Sequence, residues 1–300
     1  MADEKSLTPS FDGKFEYELE IEVPQGLYRD KAKVQDNARS FKIVHRDGQK
    51  HKAVLCFQGY QGYPGEMAAF AKRIYMAGFD VWAPRNPGMG TSWDDFYNTS
   101  DKDWLNCALF FCKSLSEKYG IENLYLAGHS MGCALCALCA REYPVKKMVF
   151  FAPGIGHDVI SPVQRRMLKL AAPLVKRKET PWQHDDSYHF EYEAPVECDY
   201  ALGKEYWSYM TPTCFLAADR LFIESFDVLS SLKTDVLIFI GGKDPLITVK
   251  GCENMAAELK KGSSEARVVF LEKCTHGIPY DIDLPSMDKA FTLSEEFLKK

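Results

Sequence analysis

Residues 128–132 read Gly-His-Ser-Met-Gly, and this stretch decides how the chain folds. It directly follows the apolar run Leu-Tyr-Leu-Ala at residues 124–127. A Gly-x-Ser-x-Gly at the end of a strand is typical of a nucleophile elbow, a strained strand-to-helix turn that lifts the serine hydroxyl above the sheet. Glycine is needed on either side of Ser130 because strand and helix approach too closely there for a Cβ atom. The pattern therefore predicts a strand, a nucleophile at Ser130 and a helix running to residue 142.

Strand and helix patterns alternate on both sides of this turn. Strand patterns occupy residues 16–22, 40–45, 52–57, 79–83, 123–129, 147–152, 234–241 and 266–272. Helical patterns occupy residues 65–76, 102–119, 131–142, 249–260 and 285–298. Such alternation is typical of an α/β fold, so we expect a mostly parallel eight-stranded sheet with helices on both faces.

The alternation breaks between residues 154 and 232. That stretch is rich in Tyr, Trp and Phe and shows helix-like spacing. We interpret it as a helical cap inserted into a core formed by residues 1–153 and 233–300. The cap should lie over the carboxyl edge of the sheet, where open α/β sheets bind their ligands.

Two later strand ends carry the groups that could activate a serine. Asp244 follows the strand at residues 234–241, and His276 follows the strand at residues 266–272. A serine hydroxyl needs a general base, and the base needs an acid that orients it. The order Ser, Asp, His along the chain, with each at a strand end, predicts that Ser130 attacks, His276 carries the proton and Asp244 holds the imidazole.

Other candidates for these roles fit less well. His129 flanks Ser130, but consecutive positions diverge at such a turn, so its ring should point away from the hydroxyl and pack. The remaining histidines have no matching strand-end position. Among the rival acids, none ends a strand before His276; they are Asp219, Asp227, Asp281 and Asp283.

A tetrahedral intermediate also needs two backbone donors for its oxyanion. One should be the N–H of Met131, directly after the nucleophile. The other should be the N–H of Tyr60, in the loop after the strand at residues 52–57. Glycines at positions 59, 62 and 65 allow the backbone of that loop to approach a substrate closely.

Composition excludes some classes of partner. Of 300 residues, 46% are hydrophobic and 13% aromatic, and the formal net charge is −5 at pH 7. This charge gives no electrostatic footprint for nucleic acid, so we expect no such partner. The first residues lack the pattern of a signal peptide, and no apolar run approaches the length of a membrane span. We therefore expect a cytoplasmic protein.

Three closely spaced cysteines raise the question of a metal site. Cys133, Cys136 and Cys139 follow Ser130 in a run of small residues, but no second Cys-x2-Cys or His-x3-His completes a zinc set. Packing of a small-residue helix against the sheet is the favoured interpretation. Gly-Met-Gly at residues 88–90 lacks the lysine of a phosphate-binding loop. We expect neither a metal nor an organic cofactor.

Together these motifs resemble the serine hydrolases of the α/β-hydrolase superfamily, and within them the monoacylglycerol lipase/lysophospholipase-like group. The resemblance covers residues 54–298. It rests on the elbow, on Gly-Lys-Asp-Pro at residues 242–245, on Thr-His-Gly at 275–277, on Phe-Ala-Pro at 151–153 and on the lid-like insertion. It implies an α/β-hydrolase fold and a carboxylic-ester or related acyl hydrolase.

Two departures from that group stand out. The loop after the strand at residues 52–57 opens with Gln-Gly at residues 58–59, where the group usually has His-Gly. Residues 85–92 read Arg-Asn-Pro-Gly-Met-Gly-Thr-Ser, where the group usually has Asp-x-Arg-Gly-x-Gly-x-Ser. The first departure leaves backbone donation by Tyr60 in place.

The insertion leaves the substrate open. Residues 161–172 form a basic amphipathic pattern, which suits either weak peripheral contact with a membrane or a cap helix with a solvated charged face. The favoured function is hydrolysis of a small-molecule or lipid ester, such as a monoacylglycerol, a lysophospholipid or a small acyl ester, through an acyl-enzyme. A thioesterase or acylaminopeptidase of the same fold and a non-catalytic hydrolase-like binding protein are the alternatives.

Overall fold

The computed structural model describes residues 23–35, 38–180, 207–263 and 265–300. The strand expected at residues 16–22 lies outside these ranges. So does part of the insertion, residues 181–206, with Cys198 and two of the histidines.

A seven-stranded sheet forms the centre of the described residues. Its strands are β1 (Phe41–Ile43), β2 (Lys52–Phe57), β3 (Phe79–Ala83), β4 (Leu124–His129), β5 (Lys147–Phe151), β8 (Asp235–Gly241) and β9 (Ala266–Leu271). The strand order is β1-β3-β2-β4-β5-β8-β9, and only β1 pairs antiparallel with its neighbour in this sheet. Two short strands, β6 (Lys178–Glu179) and β7 (Tyr209–Met210), pair separately within the insertion.

Helices cover both faces of the sheet. They are α1 (Ala68–Met76), α2 (Trp93–Tyr97), α3 (Asp101–Tyr119), α4 (Met131–Glu142), α5 (Pro162–Ala171), α6 (Pro212–Val228), α7 (Val249–Leu259) and α8 (Leu284–Lys299). Successive strand residues point to opposite faces and feed two hydrophobic clusters. One cluster holds the buried sides of α3, α4, α6 and α7, and the other holds those of α1 and α8. The expected mostly parallel sheet with helices on both faces is confirmed, with seven of its eight expected strands in the described residues.

Helix α4 shows why its sequence is rich in Cys and Ala. Its residues 131–140 are all buried, so only small and apolar side chains fit between sheet and flanking helices. The nine cysteines in the described ranges are free thiols, and every one is buried. Burial raises the pKa of the Cys133, Cys136 and Cys139 thiols well above the usual value. No cluster of His, Cys, Asp and Glu in those ranges could hold a metal ion.

The insertion contributes helices of two different kinds. Helix α6 packs against α4 and adds Cys214, Ala217 and Leu221 to the larger core cluster. Helix α5 buries no residue at all, and Val163, Met167 and Leu170 are 65–70% exposed. The sequence missed the short helix α2 and the β6–β7 pair. The division into a core and a cap with the stated bounds stays a prediction.

Within the parts of the chain that the structure describes, no helix combines the length and apolarity needed to cross a bilayer.

Candidate active site

The carboxyl ends of β4, β8 and β9 meet at one edge of the sheet because these strands are parallel. Ser130 follows β4 directly, Asp244 lies in the loop after β8, and His276 lies in the loop after β9. The structure therefore brings together the three side chains that the strand-end argument selected, although they lie far apart in the sequence.

Ser130 occupies a strained turn. Its φ is 51° and its ψ is −116°, a conformation that an L-residue adopts only when its surroundings hold it there. Three backbone hydrogen bonds do so: the N–H of Ser130 donates to Phe151 O at 2.9 Å, and its carbonyl accepts from Gly154 N at 3.0 Å and Cys133 N at 3.1 Å. The hydroxyl-bearing residue is thus fixed between β5 and α4.

The glycines of the elbow are required by close backbone contacts. A Cβ atom on Gly128 would lie 2.5 Å from Cys133 N, and one on Gly132 would lie 2.2 Å from Phe57 O. Both atoms belong to backbone and cannot swing aside. Glycine is therefore required at these two positions because strand and helix leave no room for a Cβ atom.

A chain of hydrogen bonds links the three side chains. His276 Nε2 lies 3.0 Å from Ser130 Oγ, and His276 Nδ1 lies 2.8 Å from Asp244 Oδ2. With Asp244 ionised, Nδ1 carries the proton and donates to the carboxylate. Nε2 then presents a lone pair to the Ser130 hydroxyl, which is the tautomer that a general base requires.

The environment of Asp244 favours its ionised form. Its side chain has no exposed surface, and this burial opposes ionisation. Hydrogen bonds from His276 and from the backbone N–H groups of Leu246, at 2.8 Å, and Ile247, at 3.0 Å, outweigh that burial. The net effect lowers the pKa of Asp244 below its ordinary value, so the carboxylate stays charged beside the imidazole.

The rival acids have other partners. Asp219 forms an ion pair with Arg165. Asp227 pairs with His157 at 2.7 Å on the surface. Asp281 accepts hydrogen bonds from the backbone N–H and the hydroxyl of one residue, Thr275, directly before His276. None of these contacts reaches the His276 ring.

The His129 ring is buried, and both of its nitrogens contact groups other than the Ser130 hydroxyl. Its two nitrogens contact Glu66, at 2.9 Å, and the backbone carbonyl of His276, at 3.1 Å. Sequence reasoning missed Glu66. No local sequence signal marks it, because its burial is a property of the folded chain and its partner His129 lies 63 residues away.

The loop that follows β2 lies beside Ser130. A Cβ atom on Gly59 would be 3.3 Å from Ser130 Cβ, so the backbone passes directly next to the strained turn at Ser130. Tyr60 follows Gly59, and its ring packs edge-on against Phe96 and Phe215. Met131 is the first residue of α4. The roles of the Tyr60 and Met131 N–H groups as oxyanion donors stay predictions.

The insertion forms hydrogen bonds with the loop after β2. Trp207 Nε1 donates to the carbonyl of Gln61 at 2.8 Å, and Gln61 Nε2 donates to the carbonyl of Tyr209 at 3.3 Å. Gln61 has a φ of 56°, a second strained residue close to Ser130. The loop is therefore held from above by the insertion as well as from below by the sheet.

The two departures from the resembled group face one another. Gln58 is fully buried, and with its amide oriented to pair donors with acceptors it donates to Pro84 O at 3.1 Å and accepts from Asn86 N at 2.7 Å. Arg85 points elsewhere, donating to the carbonyl of Met89 at 2.8 Å and pairing with Asp30. The Gln58 side chain thus ties the start of the loop after β2 to the loop after β3.

Comparison with known proteins places the chain in a family of hydrolases. Residues 48–283 match the family described as "Serine aminopeptidase, S33". The chain is 26% identical over 238 residues to a thermostable monoacylglycerol lipase from Bacillus sp. (strain H-257), covering 77% of this chain and 85% of the relative. It is 23% identical over 295 residues to a 2-hydroxy-6-oxo-6-phenylhexa-2,4-dienoate hydrolase from Comamonas testosteroni, covering 93% and 99%.

Solved structures share the fold. One, from a study of LipS and LipT, two metagenome-derived lipolytic enzymes, has a TM-score of 0.69 at 19% identity, covering 89% of this chain and 99% of the other. A soluble variant of monoglyceride lipase from Saccharomyces cerevisiae has a TM-score of 0.64 at 16% identity, covering 93% and 98%. Since the family match spans well over half of the 300 residues, the chain belongs to the serine aminopeptidase, S33 family and has the α/β-hydrolase fold.

Proposed function

We propose that this protein is a serine hydrolase that cleaves a carboxylic ester through an acyl-enzyme intermediate. The observation that carries the proposal is the hydrogen-bonded chain from Ser130 through His276 to Asp244. These three hydrogen-bonded side chains lie at the sheet edge where ligands of open α/β sheets bind. The strained φ of Ser130 and the lowered pKa of Asp244 support the same assignment.

In the first half of the reaction, Ser130 Oγ attacks the acyl carbon while its proton moves to His276 Nε2. The negative charge that develops on the carbonyl oxygen is stabilised by the N–H groups of Tyr60 and Met131. Collapse breaks the carbon–oxygen bond to the alcohol, and Nε2 gives its proton to the leaving oxygen. Asp244 stabilises the imidazolium that forms in between.

In the second half, water attacks the acyl carbon of the acyl-enzyme. His276 Nε2 takes a proton from that water and passes it to Ser130 Oγ as the bond to the serine breaks. The products are a carboxylic acid and an alcohol. Water is the co-reactant of the second half, and every proton that Nε2 takes up is passed on within the same half, so both halves balance.

Covalent labelling tests the nucleophile. A fluorophosphonate probe should attach to the wild-type protein at Ser130, and Ser130→Ala should remove the label. The Ser130 hydroxyl is the one held by His276, so other serines should not react under the same conditions. Labelling that persists unchanged in Ser130→Ala would overturn the assignment.

For the substrate we propose a monoacylglycerol, a lysophospholipid or a small acyl ester. Similarity to the Bacillus monoacylglycerol lipase supports the lipid esters. The test is hydrolysis of p-nitrophenyl esters of increasing chain length, extended to a monoacylglycerol and a lysophospholipid. A maximum at long chains supports the lipid substrates, and a maximum at acetate or butyrate supports the small ester.

The second candidate is cleavage of an amide or a thioester by the same residues. The description of the family as serine aminopeptidases favours the amide. Adding an aminoacyl p-nitroanilide and an acyl thioester to the panel decides between them. Turnover of the anilide above that of every ester would replace the ester proposal, and binding without any turnover would support a non-catalytic protein.

We also propose a weak contact between the insertion and an anionic lipid surface. The apolar side chains Val163, Met167 and Leu170 are exposed on α5, and the exposed basic residues Arg166 and Lys169 share that helix. Apolar contact combined with charge attraction is how interfacial helices bind membranes.

Co-sedimentation with phosphatidylcholine vesicles, with and without phosphatidylserine, tests this contact. Wild type should sediment more with the anionic vesicles, and a Met167→Ser/Leu170→Ser variant should lose that difference. Phe270→Ser is the matched control, because Phe270 is also a half-exposed apolar residue but lies on β9. Equal sedimentation of wild type and the double variant would contradict the proposal.

A further inference from the structure

A second buried histidine–carboxylate pair lies directly behind the proposed nucleophile. His129 Nδ1 and Glu66 Oε2 are 2.9 Å apart, and their side chains are only 3% and 9% exposed. Glu66 belongs to a single 3-10 turn, Pro64–Met67, just before α1. His129 is the last residue of β4 and the neighbour of Ser130. Burying two such polar groups is costly unless both are fully hydrogen-bonded, so their partners are informative.

Each member of the pair holds a different part of the active site. Glu66 Oε2 also accepts from the backbone N–H of Gly59 at 3.0 Å, in the loop that carries Tyr60. His129 Nε2 donates to the backbone carbonyl of His276 at 3.1 Å. The two side chains therefore form a continuous bridge from the loop after β2, which carries Tyr60, to the backbone of His276.

The bridge contains one shared proton. A carbonyl oxygen can only accept, so Nε2 of His129 carries a hydrogen. The contact between Nδ1 and Glu66 Oε2 then needs one further proton, held either by the imidazole or by the carboxyl. In both cases the pair has no net charge. Because the pair is neutral, it adds no net charge beside the Asp244 carboxylate or beside the imidazolium that forms on His276 during the reaction.

The loop after β2 fits closely around the Glu66 carboxylate. A Cβ atom on Gly62 would lie 2.0 Å from Glu66 Oε1, so any larger residue there would displace the Glu66 side chain. The N–H of Gly62 donates back to the carbonyl of Gly59 at 3.2 Å and closes the turn. The conformation of the loop and the position of Glu66 thus depend on each other.

We propose that Glu66 and His129 are positioning residues for the hydrolysis. They fix the Tyr60 backbone and the His276 imidazole relative to each other and to Ser130. This inference rests on the proposed function. Neither residue touches the reacting atoms, so each acts by keeping donor and base at their working separation. A displacement of about 1 Å in such groups can cost about 100-fold in rate.

Three substitutions separate the arms of the bridge. Glu66→Gln keeps the shape of the side chain but removes its negative charge. The single amide oxygen can accept from Gly59 N and from a protonated Nδ1, but the imidazolium then has no anion beside it. His129→Asn keeps a donor to Glu66 and loses the contact with His276. His129→Gln keeps a donor to the His276 carbonyl and loses the contact with Glu66.

We expect each of the three variants to lower kcat for p-nitrophenyl acetate by about 10- to 100-fold with little change in KM. The rate of fluorophosphonate labelling at Ser130 should fall in parallel. The Glu66→Gln/His129→Asn double variant should lose no more than about threefold beyond the worse single variant, because both break one bridge.

Asp80→Asn is the matched control. Asp80 also pairs with a histidine, His45, at 2.9 Å, but at the amino ends of the strands. It should lower the melting temperature while leaving kcat within about twofold of wild type. Gly62→Ala gives an independent perturbation, since its methyl group displaces Glu66 without removing a buried polar group; it should lower kcat like Glu66→Gln.

The outcomes distinguish two failures. Active wild-type protein with unchanged kcat in folded Glu66→Gln or Gly62→Ala overturns this inference alone. Equal loss of kcat in Asp80→Asn also overturns it, because the effect would then be general destabilisation. Wild-type protein that neither turns over esters nor labels at Ser130 overturns the proposed function, and this inference with it.

Discussion

The two edges of the sheet carry the same kind of side-chain pair in different settings. At the carboxyl edge His276 bonds to Asp244 at 2.8 Å, and at the opposite edge His45 bonds to Asp80 at 2.9 Å. The free ring nitrogen of His276 meets the Ser130 hydroxyl at 3.0 Å. The ring of His45 instead stacks on His51, with 3.9 Å between centroids.

A histidine–carboxylate pair is therefore not in itself a catalytic feature. Asp80 accepts hydrogen bonds from the backbone N–H and the ring of His45 and from the Tyr119 hydroxyl, so its network is closed. At the carboxyl edge the chain of hydrogen bonds ends on a hydroxyl held in a strained turn. A hydroxyl held in this way can lose its proton to the histidine and act as a nucleophile.

The largest contrast should appear when each carboxylate is neutralised. Asp244→Asn should lower kcat by about 10⁴-fold, because an amide no longer selects the tautomer with a free lone pair on His276 Nε2. Asp80→Asn should leave kcat within about twofold and cost about 1–3 kcal/mol of stability. Steady-state ester hydrolysis and urea unfolding measure the two effects. A large loss of kcat in Asp80→Asn would remove the contrast.

A second contrast concerns glycines at the two edges. Gly132→Ala would place a Cβ 2.2 Å from Phe57 O, and this overpacking should cost about 3 kcal/mol or more. Gly48, in the turn between β1 and β2, has a φ of +76° and open space around it. Gly48→Ala should therefore cost only the backbone strain, about 1 kcal/mol. Thermal unfolding of both variants measures the difference, and equal costs would show that the elbow can relax.

A third contrast is in acid. The lowered pKa of Asp244 means that its carboxylate stabilises the fold above the ordinary Asp pKa of about 3.9. That contribution is lost as the pH falls through the lower pKa of the folded state. The difference in unfolding free energy between wild type and Asp244→Asn should therefore shrink as the pH is lowered from about 5 through the folded-state pKa of Asp244. A difference that stays constant over this range would mean that Asp244 is not stabilised as an anion.

The smallest effect has the opposite sign and lies at the other edge. The carbonyl of Gly78 and the carboxylate of Asp47 raise the pKa of His51. This protonated histidine contributes stability that is present below its unfolded pKa of about 6.5 and is lost as the pH rises through its folded pKa. An NMR titration should show a lower pKa for His51 in Asp47→Asn, and an unchanged value would show that Gly78 acts alone.

Much of the fold could be predicted because the deciding signals are local. The apolar runs that form β2, β3 and β4 end where turn residues begin, and the structure reproduces β2 and β3 to the residue. The elbow, Asp244 and His276 could be located because each follows its own strand. Parallel strands bring such ends together whatever the sequence between them.

The missed features depend on contacts between distant segments. Glu66 is unremarkable in sequence, and its burial depends on His129, 63 residues away. The β6–β7 pair has only two residues in each strand and carries no periodic signal. Gln58 departs from the usual motif, and its amide joins two loops that are distant in the sequence. Periodicity cannot report such pairings because nothing near them in the chain encodes the partner.

The buried thiols of α4 and its neighbours can report how often the core opens to solvent. Each of the nine thiols in the described ranges is shielded, and burial raises the pKa of most of them, so an alkylating reagent can react only when a segment opens. Once Cys198, which lies outside those ranges, is replaced by serine, the alkylation rate under native conditions measures how often the core exposes itself. Comparing the rates at Cys133 and Cys274 would show whether the two faces of the sheet open together or separately.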